Sequence, residues 1–170
     1  FGYGSAPMPV DRLKQALRTF GPIFSQMYGL TETCAMSTCL AREDHVLEGP
    51  EVERLKSCGR PVGGVDVRIV DETGSERPDG EVGELVIRGP TVMRGYWDNP
   101  DLTSQAVDDG WFRSGDLAYR DTDGYIFLND RKKDLIVTAG GKNIAPAYVE
   151  SKMKTSPYLS QIMVHGARRK

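Results

Sequence analysis

Cysteine, histidine and tryptophan are scarce in this chain, with three, two and two among 170 residues. Cys34, Cys39 and Cys58 form no CxxC pair, so neither a zinc site nor a disulfide framework is supported, and a reducing compartment fits better. His45 and His165 stand outside any motif and no GxSxG elbow is present, which leaves a serine or cysteine triad without support. A dominant charge is lacking too. The 22 Lys and Arg against 24 Asp and Glu leave a net charge of -2, so no global basic field exists to hold nucleic acid. An anionic ligand therefore has to be met by a local site. Long apolar runs are absent as well: Leu135-Ile136-Val137 falls far short of the about 20 residues that cross a bilayer, so no transmembrane segment is expected. Finally, Phe1 is preceded by no methionine or leader pattern, and the chain reads as an excerpt of a longer protein.

What is there is a folding composition, 39% hydrophobic with 19 glycines, of a size for one domain or one domain and a piece of another. Leu13, Ala16, Leu17 and Phe20 share a face at helical spacing, and Asp11 and Gly21 bracket a helix over Asp11–Phe20. Ile23–Tyr28 reads as a short strand that delivers a polar turn. Residues 42–56 are charged and irregular and read as a solvated loop. From Gly59 to Asn129, β-branched runs (Val65–Val70, Glu84–Arg88, Tyr125–Leu128) alternate with turn clusters, which predicts antiparallel β structure and a small barrel. A short helix over Leu102–Val107 interrupts it. The polar run Asp130–Asp134 is a linker or a solvated turn, and it precedes a hairpin-like Leu135–Ile144 and a helix from Pro146 to Lys154. The fold class is α+β.

Two glycine clusters fail as phosphate loops. Gly140-Gly141-Lys142 has Ile136 and Asn143 where GxxxxGK[ST] needs Gly and Ser or Thr. The stretch from Gly2 through Gly4, Ser5 and Ala6 begins like GxGxxG but ends in Pro7. Tight turns account for both. Tyr28-Gly29-Leu30-Thr31-Glu32-Thr33 is richer. An aromatic can stack on a base, hydroxyls and backbone N–H groups can bind phosphate, and a carboxylate can ligate Mg²⁺; a capping turn with Thr31 or Thr33 as N-cap explains the same residues equally well. In Trp111-Phe112-Arg113-Ser114-Gly115-Asp116-Leu117, the Asp116 carboxylate suits the two hydroxyls of a ribose, although by itself an aspartate there is more often a turn residue. Asp121 and Asp123 read as hairpin-turn residues before Gly124.

Taken in order, Gly4–Pro7, Tyr28–Glu32, Gly83-Glu84-Leu85 through Gly95-Tyr96-Trp97, and Trp111–Asp116 continuing to Asp130–Asp134 resemble the motifs of the adenylate-forming superfamily. That superfamily contains acyl-CoA synthetases, peptide-synthetase adenylation domains and firefly luciferase. The resemblance covers essentially the whole chain. It implies the β-rich end of the large AMP-binding domain over residues 1–132, and over 133–170 the hinge and first part of a small C-terminal domain. It also implies ATP or AMP and Mg²⁺ as ligands and CoA as co-substrate. Ser5, Ala6 and Pro7 would lie against the adenine and Tyr28, followed by Gly29, would stack on it. Thr31 would touch the α-phosphate, Glu32 would ligate Mg²⁺, and Asp116 with Arg131 would hold the ribose. Lys133 maps to the hinge, and Gly140 and Gly141 to a thiol tunnel.

Val137–Pro146 most resembles bacterial long-chain fatty-acyl-CoA ligases, with a carrier-protein-loading adenylation domain as the rival and a non-enzymatic nucleotide-binding module as a further one. Met27, Leu30, Cys34, Ala35 and Met36 are candidates for an acyl channel wall, with plain core packing the commoner use of such residues. The superfamily's phosphate loop precedes the position of Phe1 and its catalytic lysine follows that of Lys170, so the piece alone is expected to be inactive. The expected partners are small molecules, in the cytoplasm, with peripheral membrane contact compatible with a long-chain substrate.

Overall fold

The computed structural model describes residues 1–6, 8–132, 134, 136–137, 143–144, 146–153, 156, 158–159 and 161–166. Strand β1 (Gly2–Gly4) leads into helix α1 (Val10–Phe20), which returns the chain to strand β2 (Ser25–Tyr28) parallel to β1. Parallel neighbours require such a crossover, and the helix supplies it. Leu13 and Leu17 are buried against Leu55, so the predicted apolar stripe is the packed face. Phe20 is the exception: at the last helical position it is 64% exposed, in an edge contact with Phe24. β3 (Thr38–Leu40) and β4 (Arg60–Pro61) extend this sheet antiparallel, in the order β1-β2-β3-β4.

The segment 42–56 is not a solvated loop. It forms two 3-10 turns, Arg42–Asp44 and Pro50–Lys56, with Asp44, His45 and Leu55 buried. Its charges find partners distant in sequence. The Tyr125 hydroxyl donates to Asp44 Oδ1 at 2.6 Å, and the Arg54 guanidinium lies 3.7 Å from the same oxygen. Local patterning carries no trace of a partner 81 positions away.

A five-stranded antiparallel sheet follows, made of β5 (Asp66–Val70), β6 (Gly83–Arg88), β7 (Val107–Asp108), β8 (Trp111–Arg120) and β9 (Ile126–Arg131), with helix α2 (Pro100–Ala106) inserted before β7. Asn99 caps α2 by accepting from Leu102 N, and Pro100 takes the first helical position, where its missing N–H costs nothing. β8 is the spine, pairing with β6 along one edge and with β7 and then β9 along the other. Its apolar face joins Leu85, Ile87, Phe112, Ala118 and Ile126 into the largest core cluster, against which Tyr28 of the first sheet and Leu30 just beyond it pack. Asp121 and Gly124 form the expected turn between β8 and β9.

Beyond β9, β10 (Ile136–Val137) pairs antiparallel with β11 (Asn143–Ile144), and α3 (Pro146–Met153) follows, in line with the hairpin and helix read from the sequence.

Candidate active site

β8 carries an irregularity where the site lies. Glu84 pairs with Leu117 and Val86 with Arg113, so Leu85 alone opposes Ser114, Gly115 and Asp116; the partner β9 shifts register beside it, between Leu117 and Ala118. Bulges re-aim side chains and end regular pairing, and here they do so at one place on both edges. Gly115 has φ +72, a left-handed conformation that glycine adopts freely. Ser114 closes the bulge by donating to Leu85 O at 2.6 Å and accepting from Asp116 N at 3.1 Å.

Asp116 is 7% exposed, a strand residue and not a turn residue. Both of its oxygens are engaged: the Tyr28 hydroxyl donates to Oδ2 at 2.6 Å, and Arg131 Nε donates to Oδ1 at 3.1 Å. Arg131 stands directly across the ladder from Asp116, which explains the ion pair. Burial, and then the negative charge and hydrogen bond of Asp116, push the Tyr28 hydroxyl far above its ordinary pKa, so it stays a donor. Each carboxylate oxygen has two lone pairs, so Asp116 retains capacity for two further hydroxyl donors.

The chain leaves β2 at Tyr28 and turns through Gly29 into a 3-10 turn, Thr31–Thr33. A Cβ on Gly29 would lie 2.4 Å from the Ala35 carbonyl carbon, so only glycine permits this return. Leu30, not a threonine, occupies the N-cap; Thr33 closes the turn by accepting from Leu30 N at 3.0 Å. Cys34 and Ala35 then take left-handed φ values of 51 and 71, and Ser37 N bonds back to Tyr28 O at 2.7 Å. The capping turn and the ligand-facing turn are thus one object: Thr33 is buried inside it, while Thr31 and Glu32 face outward.

They face a cleft of about 740 Å³ at the carboxyl ends of parallel β1 and β2, a common ligand position in α/β sheets. Gly4, Ser5, Gly29, Thr31, Glu32 and Arg131 all border it, brought together from three separate stretches of chain. Asp116 and Tyr28 are not on this lining; Asp116 joins it through its bond to Arg131. Ala6 is exposed and off the lining, and Pro7, Lys133, Gly140 and Gly141 lie outside the described residues. Of the proposed acyl-wall residues, Met27, Leu30, Ala35 and Met36 border the cleft, while Cys34 does not.

Among the further side chains that line the cleft and that motif reading left without a role are Tyr96, Arg113 and Ser114. Arg113 Nη2 donates at 2.7 Å to Glu84 Oε2, and Lys132 Nζ lies 3.6 Å from the same oxygen. Glu84, at 7% exposure, thus balances a cation of the cleft and one just after β9. The only sequence signal for these residues was membership of the motif stretches.

Among the described residues no three His, Cys, Asp or Glu side chains gather as a metal cage. Among the described residues that line the cleft, Glu32 supplies the carboxylate. That donor set suits Mg²⁺, which keeps several waters and takes one or two carboxylates together with substrate phosphates.

A parallel pair thus delivers a polar turn beside a bulged antiparallel sheet that carries a buried carboxylate. Residues 1–97 match the AMP-binding enzyme family, and the chain belongs to that family. The relatives are ligases. The chain is 44% identical over 165 residues to the medium/long-chain-fatty-acid–CoA ligase FadD8 of Mycobacterium tuberculosis, covering 97% of this chain and 28% of that protein. It is 38% identical to the fatty acid–[acyl-carrier-protein] ligase ScoC of Streptomyces coeruleorubidus, covering 97% of this chain and 31% of that protein. Among solved structures, O-succinylbenzoate coenzyme A synthetase from Bacillus subtilis, in complex with ATP and magnesium ion, superposes with a TM-score of 0.87 at 33% identity, covering 99% of this chain and 34% of that one. The chain therefore spans about a third of the length of these relatives, and its α+β fold is that of the adenylate-forming enzymes.

Proposed function

We propose that this chain supplies the nucleotide-binding part of an ATP-dependent acid–thiol ligase acting on a fatty acid. The carrying observation is the cleft that joins Ser5, the Gly29–Glu32 turn and Arg131, with Asp116 bonded to Arg131 and to Tyr28. In this reading a carboxylate oxygen of the acid attacks the α-phosphorus of ATP and pyrophosphate leaves. The sulfur of CoA then attacks the acyl carbonyl and AMP leaves. Asp116 and Arg131 hold the ribose hydroxyls, Ser5, Ala6 and Pro7 lie against the adenine with Tyr28, and Thr31 donates to the α-phosphate. Glu32 would hold Mg²⁺, which when bound neutralises charge on the phosphates. Little covalent work falls to these side chains; orientation and charge stabilisation do.

The domain boundary goes with the same reading: residues 1–132 end the large domain, Lys133 is the hinge, and the segment with Gly140 and Gly141 meets the thiol arm of CoA. A cytoplasmic location with peripheral membrane contact accords with a long-chain acid; among the described residues no helix is long and apolar enough to cross a membrane. The likeness to ScoC, a fatty acid–[acyl-carrier-protein] ligase, supports a second reading in which the acceptor thiol sits on a carrier protein. The deciding experiment is ATP–pyrophosphate exchange by the full-length protein with acids of graded chain length, followed by transfer to CoA or to a phosphopantetheinylated carrier. Exchange is expected to depend on a fatty acid. Exchange with no carboxylic acid overturns the proposal, as does acyl-CoA turnover by residues 1–170 alone for the claim that this part is inactive by itself.

A further inference from the structure

Tyr96 sits on a loop that runs from β6 to α2 and reaches back to the turn of Thr31–Thr33. Its hydroxyl donates to Glu32 Oε1 at 2.9 Å across 64 positions of sequence, and both residues border the cleft. The loop is also stitched to that turn through the backbone, Met93 N donating to Glu32 O at 2.7 Å. On its other side Tyr96 is anchored to α2. Its N–H donates to Thr103 Oγ1 at 2.9 Å, and Thr103 Oγ1 donates to Asn99 O at 2.8 Å. Gly95, with φ +154, lets the loop lie so close that a Cβ would stand 2.7 Å from Thr103 Cγ2. Tyr96 is therefore a strut between a capped helix and the Glu32 carboxylate that borders the cleft.

A carboxylate on a long side chain has several rotamers and two equivalent oxygens, so left to itself Glu32 would spend much of its time pointing elsewhere. The Tyr96 bond occupies a lone pair of Oε1 and none of Oε2. We propose that Tyr96 is a positioning residue that fixes the Glu32 carboxylate so that Oε2 is presented to a divalent cation entering with a nucleoside triphosphate. This rests on the reading of Glu32 as the cation ligand.

The test titrates Mn²⁺, read by its electron paramagnetic resonance signal, into the full-length protein with a non-hydrolysable ATP analogue; metal-free AMP affinity is measured by calorimetry alongside. Y96F is expected to weaken Mn²⁺ binding about tenfold, the scale of one hydrogen bond to a charged group, with AMP affinity unchanged. T103V, which frees the Tyr96 backbone, is expected to show a smaller loss of the same kind. E32Q tests the underlying reading and is expected to remove the site. If E32Q loses Mn²⁺ and Y96F binds it like the parent, the positioning role is overturned while the cation reading stands. If E32Q binds Mn²⁺ normally, the cation reading fails and this inference with it. If Y96F weakens AMP and Mn²⁺ equally, the tyrosine holds the fold and not the carboxylate, which also overturns the proposal.

Discussion

The Tyr28 hydroxyl and the Asp116 carboxylate, 88 positions apart, meet at 2.6 Å and tie the four-stranded mixed sheet to the five-stranded antiparallel one. The acceptor is a buried charge, so the bond belongs to the stronger class of about 1.5–3 kcal/mol. Tyr28→Phe is expected to lower the unfolding free energy by that order in a denaturant titration. A loss under about 0.5 kcal/mol would show that Arg131 alone satisfies Asp116. Asp116→Asn removes the negative charge from beside Arg131 and is expected to reduce AMP affinity by at least about tenfold in calorimetry.

Two glycines of the site should differ in their tolerance. Gly29→Ala places a methyl 2.4 Å from backbone carbon of Ala35, so the turn of Thr31–Thr33 has to move; nucleotide affinity and thermal stability should fall together. At Gly115 a Cβ meets no atom within 4 Å and only the left-handed φ is at stake, so Gly115→Ala is expected to cost about 1–2 kcal/mol in stability. Equal losses at both positions would contradict this division.

His45, 3% exposed, predicts a pH dependence. Its Nδ1 lies 2.8 Å from Ala41 O, which can only accept, so Nδ1 carries the proton and Nε2 accepts from the Tyr3 hydroxyl at 3.0 Å. Burial lowers the His45 pKa, against smaller upward pulls from the Ala41 carbonyl and Asp44. The unfolded chain, titrating near pH 6.5, then binds more protons than the folded one on the acid side. This group's contribution to stability is complete above the unfolded value and is lost as pH falls from there toward the depressed folded value. Denaturant melts of the parent and of His45→Gln between about pH 5 and pH 8 should show a steeper acid loss in the parent. Parallel curves would sink the prediction.

The three thiols should separate by reactivity. Cys34 is exposed, Cys39 half-buried with its pKa raised by burial and then by Glu43 and Asp44, and Cys58 buried with its pKa pushed up to about 12, mainly by burial. The thiolate is the reacting form, so maleimide is expected to label Cys34 first, Cys39 more slowly and Cys58 only after unfolding. Mass mapping of labelled peptides over time reads the order, and early labelling of Cys58 would contradict the packing.

Amphipathic spacing in Leu13 and Leu17, β-branched runs such as Asp66–Val70 and turn residues at Asp121–Gly124 made most elements of the fold legible, because helix and strand periods, like turn chemistry, are local properties. The ordered motifs likewise singled out the Gly29–Glu32 turn and Asp116, but not the strand Trp111–Arg120 that carries Asp116. Local patterning failed at 42–56, where charges that looked solvated pair with Tyr125 and bury Asp44, and at Tyr96 and Arg113, whose polar partners Glu32 and Glu84 lie on other elements. By itself the sequence determined which residue types stand at which ends of which strands. Only the tertiary structure decided that the two bulges beside Gly115 face the turn after β2, which brings Asp116 to Tyr28 and Tyr96 to Glu32. The reason is physical: a hydrogen bond depends on distance and angle in space, and for residues 88 or 64 positions apart those are set by how the two sheets pack, not by any period along the chain.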